Sequence, residues 1–170
     1  LVPRVTDMRA TPILMASVFV TIACMCHDTR GADDVRAKLS FFQGSWTLRG
    51  SESTYTEVCE WLPGGGFLSC RAEERQPSGN GFSQSIFGYS AADGMYTYNG
   101  FDGIGTSRAL RGTNQKGIWR FFGQSDRGPT WQRWQVTITP TADGFRFKEE
   151  VSERGGPWKE RFVTDYVRVK

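Results

Sequence analysis

Tyr96, Tyr98, Arg108, Trp134, Glu149, Glu160 and Tyr166 carry most of the chemistry this chain could perform. They fall in stretches that alternate with the period of two of a β-strand. Phe145, Phe147, Glu149 and Val151 share one face, against Arg146, Lys148 and Glu150 on the other, so burial of the first set takes Glu149 inward. Trp158, Glu160, Phe162, Thr164 and Tyr166 form the more apolar face of the last stretch, which draws Glu160 inward as well. Trp134 shares a face with Val136 and Ile138, Arg108 with Thr106 and Leu110, and Tyr96 with Tyr98. An aromatic interior holding a few polar groups has the make-up of a small-molecule pocket. Two readings of those groups stand side by side. In one, Glu149 or Glu160 pairs with Arg108 or Arg133, because a buried carboxylate without a partner is costly. In the other, they hold the polar end of an amphipathic ligand whose body stacks on Trp134 and the tyrosines. A carboxylate perturbed by such a cavity could also act as a general acid or base.

Other chemistries are poorly supplied. His27 is the sole histidine and lies close behind an apolar leader, so a folded domain beyond it has no His for a Ser-His-Asp or Cys-His relay. The same shortage argues against a haem ligand and against a zinc site, so neither cofactor nor metal is expected. Gly100-x-x-Gly103-x-Gly105 has no helix after it and reads as a strand-end turn rather than a phosphate loop. The formal charge of +3 is spread without a basic cluster, so no nucleic-acid partner is expected.

The elements that must position these residues are short strands. The 170 residues, 38% apolar with 20 Gly, suffice for one domain rich in turns. Strand candidates run at 45–50, 53–62, 66–75, 82–89, 94–101, 105–111, 116–123, 130–139, 143–151 and 158–169. Pro63-Gly64-Gly65-Gly66, Ala92-Asp93-Gly94, Thr113-Asn114, Asp126-Arg127-Gly128-Pro129, Asp143-Gly144 and Gly155-Gly156-Pro157 supply turns between them. Starts spaced by roughly 8–12 residues are the mark of an all-β sandwich or barrel. Ahead of the strands, Asp33-Asp34 can cap a short helix with Val35, Leu39 and Phe42 on one face, suited to closing a barrel end. The expected architecture is a single closed antiparallel barrel of about ten strands with a short N-terminal helix.

Four cysteines occur, at 24, 26, 59 and 70. If Pro63–Gly66 makes a four-residue turn, Leu62 pairs with Phe67, Trp61 with Leu68 and Glu60 with Ser69. Cys59 then lies directly opposite Cys70, within reach of a disulfide. A one-residue shift of register would instead leave two reduced core cysteines.

Met8-Arg9 and the apolar run from Ile13 to Ala23 read as a signal peptide over residues 8–23, too short to span a bilayer comfortably. Residues 1–7 read as an upstream extension or cloning remnant, 24–37 as a tail and the start of the helix, and 38–170 as the barrel. Val20-Thr21-Ile22-Ala23-Cys24 resembles the lipobox of bacterial lipoproteins, with Thr21 where Leu is usual, so acylation of Cys24 and ordinary cleavage near Ala23 are both open. Either route sends the protein out of the cytoplasm, to the periplasm or beyond, and Cys24 is the expected means of any membrane attachment.

The opening Phe42-x-Gly44-x-Trp46 is similar to the Gly-x-Trp signature of the lipocalin-like, or calycin, barrels. Over residues 38–170 the chain resembles a family of uncharacterised secreted bacterial proteins with that fold. The resemblance rests on Trp61-Leu62-Pro63-Gly64-Gly65-Gly66-Phe67-Leu68, on Phe87-Gly88-Tyr89 with Tyr96 and Tyr98, on Asp102-Gly103, and on the closing hairpin from Phe145 to Tyr166. It departs from the usual pattern at Pro63 and Gly66. These are turn and packing motifs, and the resemblance implies a fold without a catalytic set.

The leading expectation is therefore an exported lipocalin-like protein that binds a small hydrophobic or amphipathic molecule in its barrel. The alternative is a cofactor-free isomerase, cyclase or hydrolase using Glu149 or Glu160 with Tyr98 or Arg108. A third reading is an interaction module with a filled core.

Overall fold

A computed structural model describes residues 29–51, 54–125 and 131–170. The signal peptide, His27, Cys24 and Cys26 of the sequence reading lie outside these. Ten antiparallel strands close on themselves: β1 (Gly44–Leu48), β2 (Tyr55–Trp61), β3 (Leu68–Gln76), β4 (Gly79–Ser90), β5 (Met95–Asp102), β6 (Ser107–Gln115), β7 (Ile118–Ser125), β8 (Gln132–Pro140), β9 (Gly144–Glu153) and β10 (Lys159–Arg168). Each strand pairs with its neighbours in sequence, and β1 with β10 completes the circle. Closure leaves no sheet edge unpaired.

Alternation dictates the faces. In β8, Trp134, Val136 and Ile138 are buried while Arg133, Gln135 and Thr137 between them are not. The β2–β3 hairpin has the register its Pro-Gly turn implies: Trp61 opposes Leu68, Glu60 opposes Ser69, and Cys59 opposes Cys70 in a disulfide. Two glycines are needed for close approach. At Gly112 a Cβ would collide with the Arg120 carbonyl on β7, and at Gly144 with the Tyr166 carbonyl on β10.

One end of the barrel is sealed. Helix α1 (Thr29–Leu39) and a 3-10 turn (Ser40–Phe42) drive Leu39 and Phe42 beneath the hairpin tips. Phe42 stacks on Phe87 with ring centroids 4.7 Å apart and meets Trp119 at 5.1 Å and Phe145 at 5.7 Å. Trp46 donates its indole N–H to the Phe42 carbonyl at 2.7 Å. Arg168, near the end of β10, lies 4.2 Å over the Trp46 ring and donates to the carbonyls of Gln43 and Phe41. These contacts fasten the first and last strands to the same plug.

Three local expectations are corrected. Asp33 and Asp34 do not cap the helix, which begins at Thr29; Asp34 instead accepts from Lys38 one turn on, at 2.6 Å, an ordinary use of an acid inside a helix. Thr113 and Asn114 are not a turn but part of β6, with Asn114 opposite Trp119. The chain reverses at Lys116-Gly117, whose φ angles of 53° and 82° suit a two-residue hairpin. The third correction is a β-bulge in β10. Glu160 opposes Glu150 and Phe162 opposes Glu149, so Arg161 is an extra residue and the face reverses across it. Phe162, Thr164 and Tyr166 keep the inward face; Glu160 and Trp158 lose it, and both are exposed.

Candidate functional site

Among the described residues nothing caps the end opposite the plug, and the walls there are unequal. On β3, β4 and β5 the inward positions towards that end include the small residues Ala72, Ser83, Ser85 and Gly100, paired across the ladders in that arc, with Glu74 and Asp102 nearer the rim. Ser83 is exposed although it faces inward, so solvent reaches the interior here. Across the barrel, β6, β8, β9 and the bulge of β10 contribute Arg108, Trp134, Glu149 and Arg161.

Those four side chains make one cluster. Glu149 is 7% exposed, and one of its oxygens accepts from the Arg108 guanidinium. Its other oxygen lies 3.7 Å from Arg161 Nε. Both guanidinium groups also lie over the Trp134 ring, Arg108 at 4.1 Å and Arg161 at 4.9 Å from its centroid. A carboxylate bridging two arginines on an indole face is a stable arrangement for a group taken out of water, since attraction and cation–π contact offset its desolvation. Phe162 lies beside it, opposite Glu149 in the ladder and 44% exposed.

Below the cluster sits a second set of polar groups. The Tyr55 hydroxyl donates to a Glu57 oxygen at 2.9 Å and lies 3.2 Å from the Tyr166 hydroxyl. Desolvation pushes the Glu57 carboxyl up to about 7, against the opposing effect of its tyrosine hydrogen bonds. Burial likewise raises the phenols of Tyr55, Tyr98 and Tyr166 far above their ordinary range, with the Glu57 charge adding to the shift in each. Tyr98 stacks on Phe87 at 4.8 Å. Glu57, Tyr98 and Tyr166 border a cavity of about 30 Å3, which also touches the Cys59–Cys70 bridge and Ser85. That is the space of a single water molecule.

Sequence reasoning thus finds Arg108, Trp134 and Glu149 together at the mouth, and Tyr98 and Tyr166 together beneath them. It misplaces two residues. Glu160 faces outward beside Lys148 and Glu150 for the reason given by the bulge. Tyr96 is at the sealed end, 4.8 Å from Trp119, where it lines an outer groove of about 1010 Å3 between α1 and the hairpin tips. Among the described residues Arg133 has no carboxylate partner and donates to Ser152 at 3.1 Å. It misses Glu57, Tyr55 and Arg161. The first two share a period-two face with Cys59 and Trp61, which is a readable signal; nothing in the sequence announces the bulge that turns Arg161 inward.

Among the described residues, one grouping of metal-ligating types comes within 4.8 Å, Glu57 with Cys59 and Cys70, and the disulfide occupies both sulfurs. No described helix is long and apolar enough to cross a membrane. Neither the known protein-family models nor the curated proteins give a match to this chain.

Proposed function

We propose that this is an exported, lipocalin-like binding protein that takes a small amphipathic molecule at the open mouth of its barrel. The carrying observation is the Arg108–Glu149–Arg161 cluster on the Trp134 face, at the end where inward residues are still exposed. A flat or apolar body rests on Phe162, the half-exposed ring beside the cluster, and faces the small residues Ala72, Ser83 and Gly100. The polar end meets guanidinium donors already oriented by Glu149. A cavity of about 30 Å3 is far below the roughly 300 Å3 at which ligand pockets begin, so the depth of the barrel does not hold the molecule. The Cys59–Cys70 bridge supports export, because such bonds persist in oxidising compartments.

Native mass spectrometry of protein purified from its own host tests the reading directly, with one molecule bound per chain as the expected result. Glu149→Gln loosens the arginines and lowers affinity severalfold; abolition of a measured turnover by the same change would replace binding with catalysis. Release of no molecule from host-purified protein, together with no saturable change in tryptophan fluorescence on titration with long-chain carboxylates, would defeat the proposal.

A second reading, a cofactor-free isomerase, cyclase or hydrolase, is favoured by one observation. Glu57 is a carboxyl held near neutrality, hydrogen-bonded by Tyr55 and adjoining a water-sized space. A group poised near the working pH suits proton transfer. On this reading Glu57, rather than Glu149 whose oxygens are engaged by two arginines, is the acid or base, and Glu57→Gln removes turnover while leaving mouth binding intact.

A further inference from the structure

The rim on the β8–β9–β10 side carries features that neither the barrel nor the mouth requires. Trp131 and Trp158 are 37% and 40% exposed. The Arg133 guanidinium lies between them, 5.8 Å from one ring and 5.4 Å from the other. Arg154 sits at the tip of the β9–β10 hairpin with a left-handed φ of 49°, and its backbone N–H donates to the Trp131 carbonyl, so hairpin tip and indole form one patch. Lys159 follows on the same hairpin and is exposed, as is Arg161 at the inner edge. Among the described residues neither Arg154 nor Lys159 makes an ion pair, while Arg108 and Arg161 share the single carboxylate of Glu149, which leaves one of their two charges unmatched. The patch thus sets Arg133, Arg154, Lys159 and Arg161 against Glu153 and Glu160, a surplus of two positive charges around two indoles.

We infer that this rim docks onto an anionic lipid surface, bringing the open mouth of the barrel to the bilayer interface. Indole rings favour that interface because one part is apolar and the N–H stays wet. Nearby lysines and arginines are drawn to anionic headgroups, each adding a comparable increment. An acidic protein would satisfy the cations but would leave two half-exposed indoles without a purpose. The walls of the barrel do not enter the bilayer: their outward positions include Arg71, Glu73, Arg120, Arg146 and Lys148.

Flotation with vesicles of phosphatidylcholine, with and without phosphatidylglycerol, tests this on the exported protein carrying Cys24→Ser to prevent acylation. No small ligand is present, so the outcome is independent of the binding reading. The expected result is flotation with phosphatidylglycerol vesicles that falls about tenfold in Trp131→Ser/Trp158→Ser and, separately, in Arg154→Glu/Lys159→Glu. The second variant changes only exposed hairpin residues, so it remains informative if loss of the indoles disturbs folding. Equal flotation with and without phosphatidylglycerol overturns the inference, as does flotation unaffected by the charge reversal. Charge-dependent binding that ignores the tryptophans, and is matched by an acidic polypeptide, identifies an acidic partner instead and overturns it too.

Discussion

Glu57 links the interior of the barrel to pH. Its folded value of about 7 lies above the roughly 4.3 of an ordinary glutamate, so the folded protein holds this proton where the unfolded chain has released it. Stability from this group is therefore full below about pH 4, falls as pH rises towards 7, and is level beyond. The separation corresponds to about 4 kcal/mol. Glu57→Gln keeps an acceptor for Tyr55 and removes the titration. Its urea midpoint is expected to match the parent near pH 4 and to exceed it at pH 8; parallel pH profiles would show a solvated carboxyl instead. Arg108 has the opposite character. Arg108→Met leaves Glu149 buried with a single distant guanidinium, and about 3 kcal/mol of unfolding free energy is expected to go with it. Adding Glu149→Leu restores most of that loss, and a double-mutant cycle with no coupling between the two would refute the pairing.

At the scale of elements, the β2–β3 hairpin is the best specified piece. Its turn fixes the register, the register opposes the cysteines, and the bridge holds the arrangement. Cys59→Ser/Cys70→Ser is expected to cost about 3 kcal/mol, given the short loop it closes, measured as a lowered melting temperature without loss of β-sheet circular dichroism. The order of strands and most of their limits could be read from alternation and glycine-rich turns, because both are local. The mouth cluster was readable for the same reason: Glu149 shares its face with Phe145 and Phe147, and Trp134 with Val136 and Ile138. Glu57 was harder. Its neighbours Thr56 and Glu60 are polar, Val58 places an apolar residue on the outer face, and the hydroxyl that completes its surroundings belongs to Tyr166, 111 positions from Tyr55. Glu160 could not be placed, since a bulge reverses a face without altering the composition around it.

For the whole molecule, closure rests on its shortest strand. β1 has five residues and meets β10 through three opposed pairs, Trp46–Arg168, Thr47–Val167 and Leu48–Tyr166. β8 and β9 share nine. Hydrogen exchange is expected to be slowest along β8 and β9 and fastest at the β1–β10 seam, with Trp46→Ala widening the difference by opening the plug beneath it. Uniform protection around the circle would mean that the barrel opens only as a unit. Arg161 gives the perimeter one last property. The pairings on either side of it, Glu160 with Glu150 and Phe162 with Glu149, are already those of an uninterrupted strand. Excising Arg161 would therefore shorten the chain by a residue and leave every other partner in place. A role in the mouth can thus be separated from a role in the wall by deletion rather than by replacement, a subtraction that few positions in a closed sheet permit.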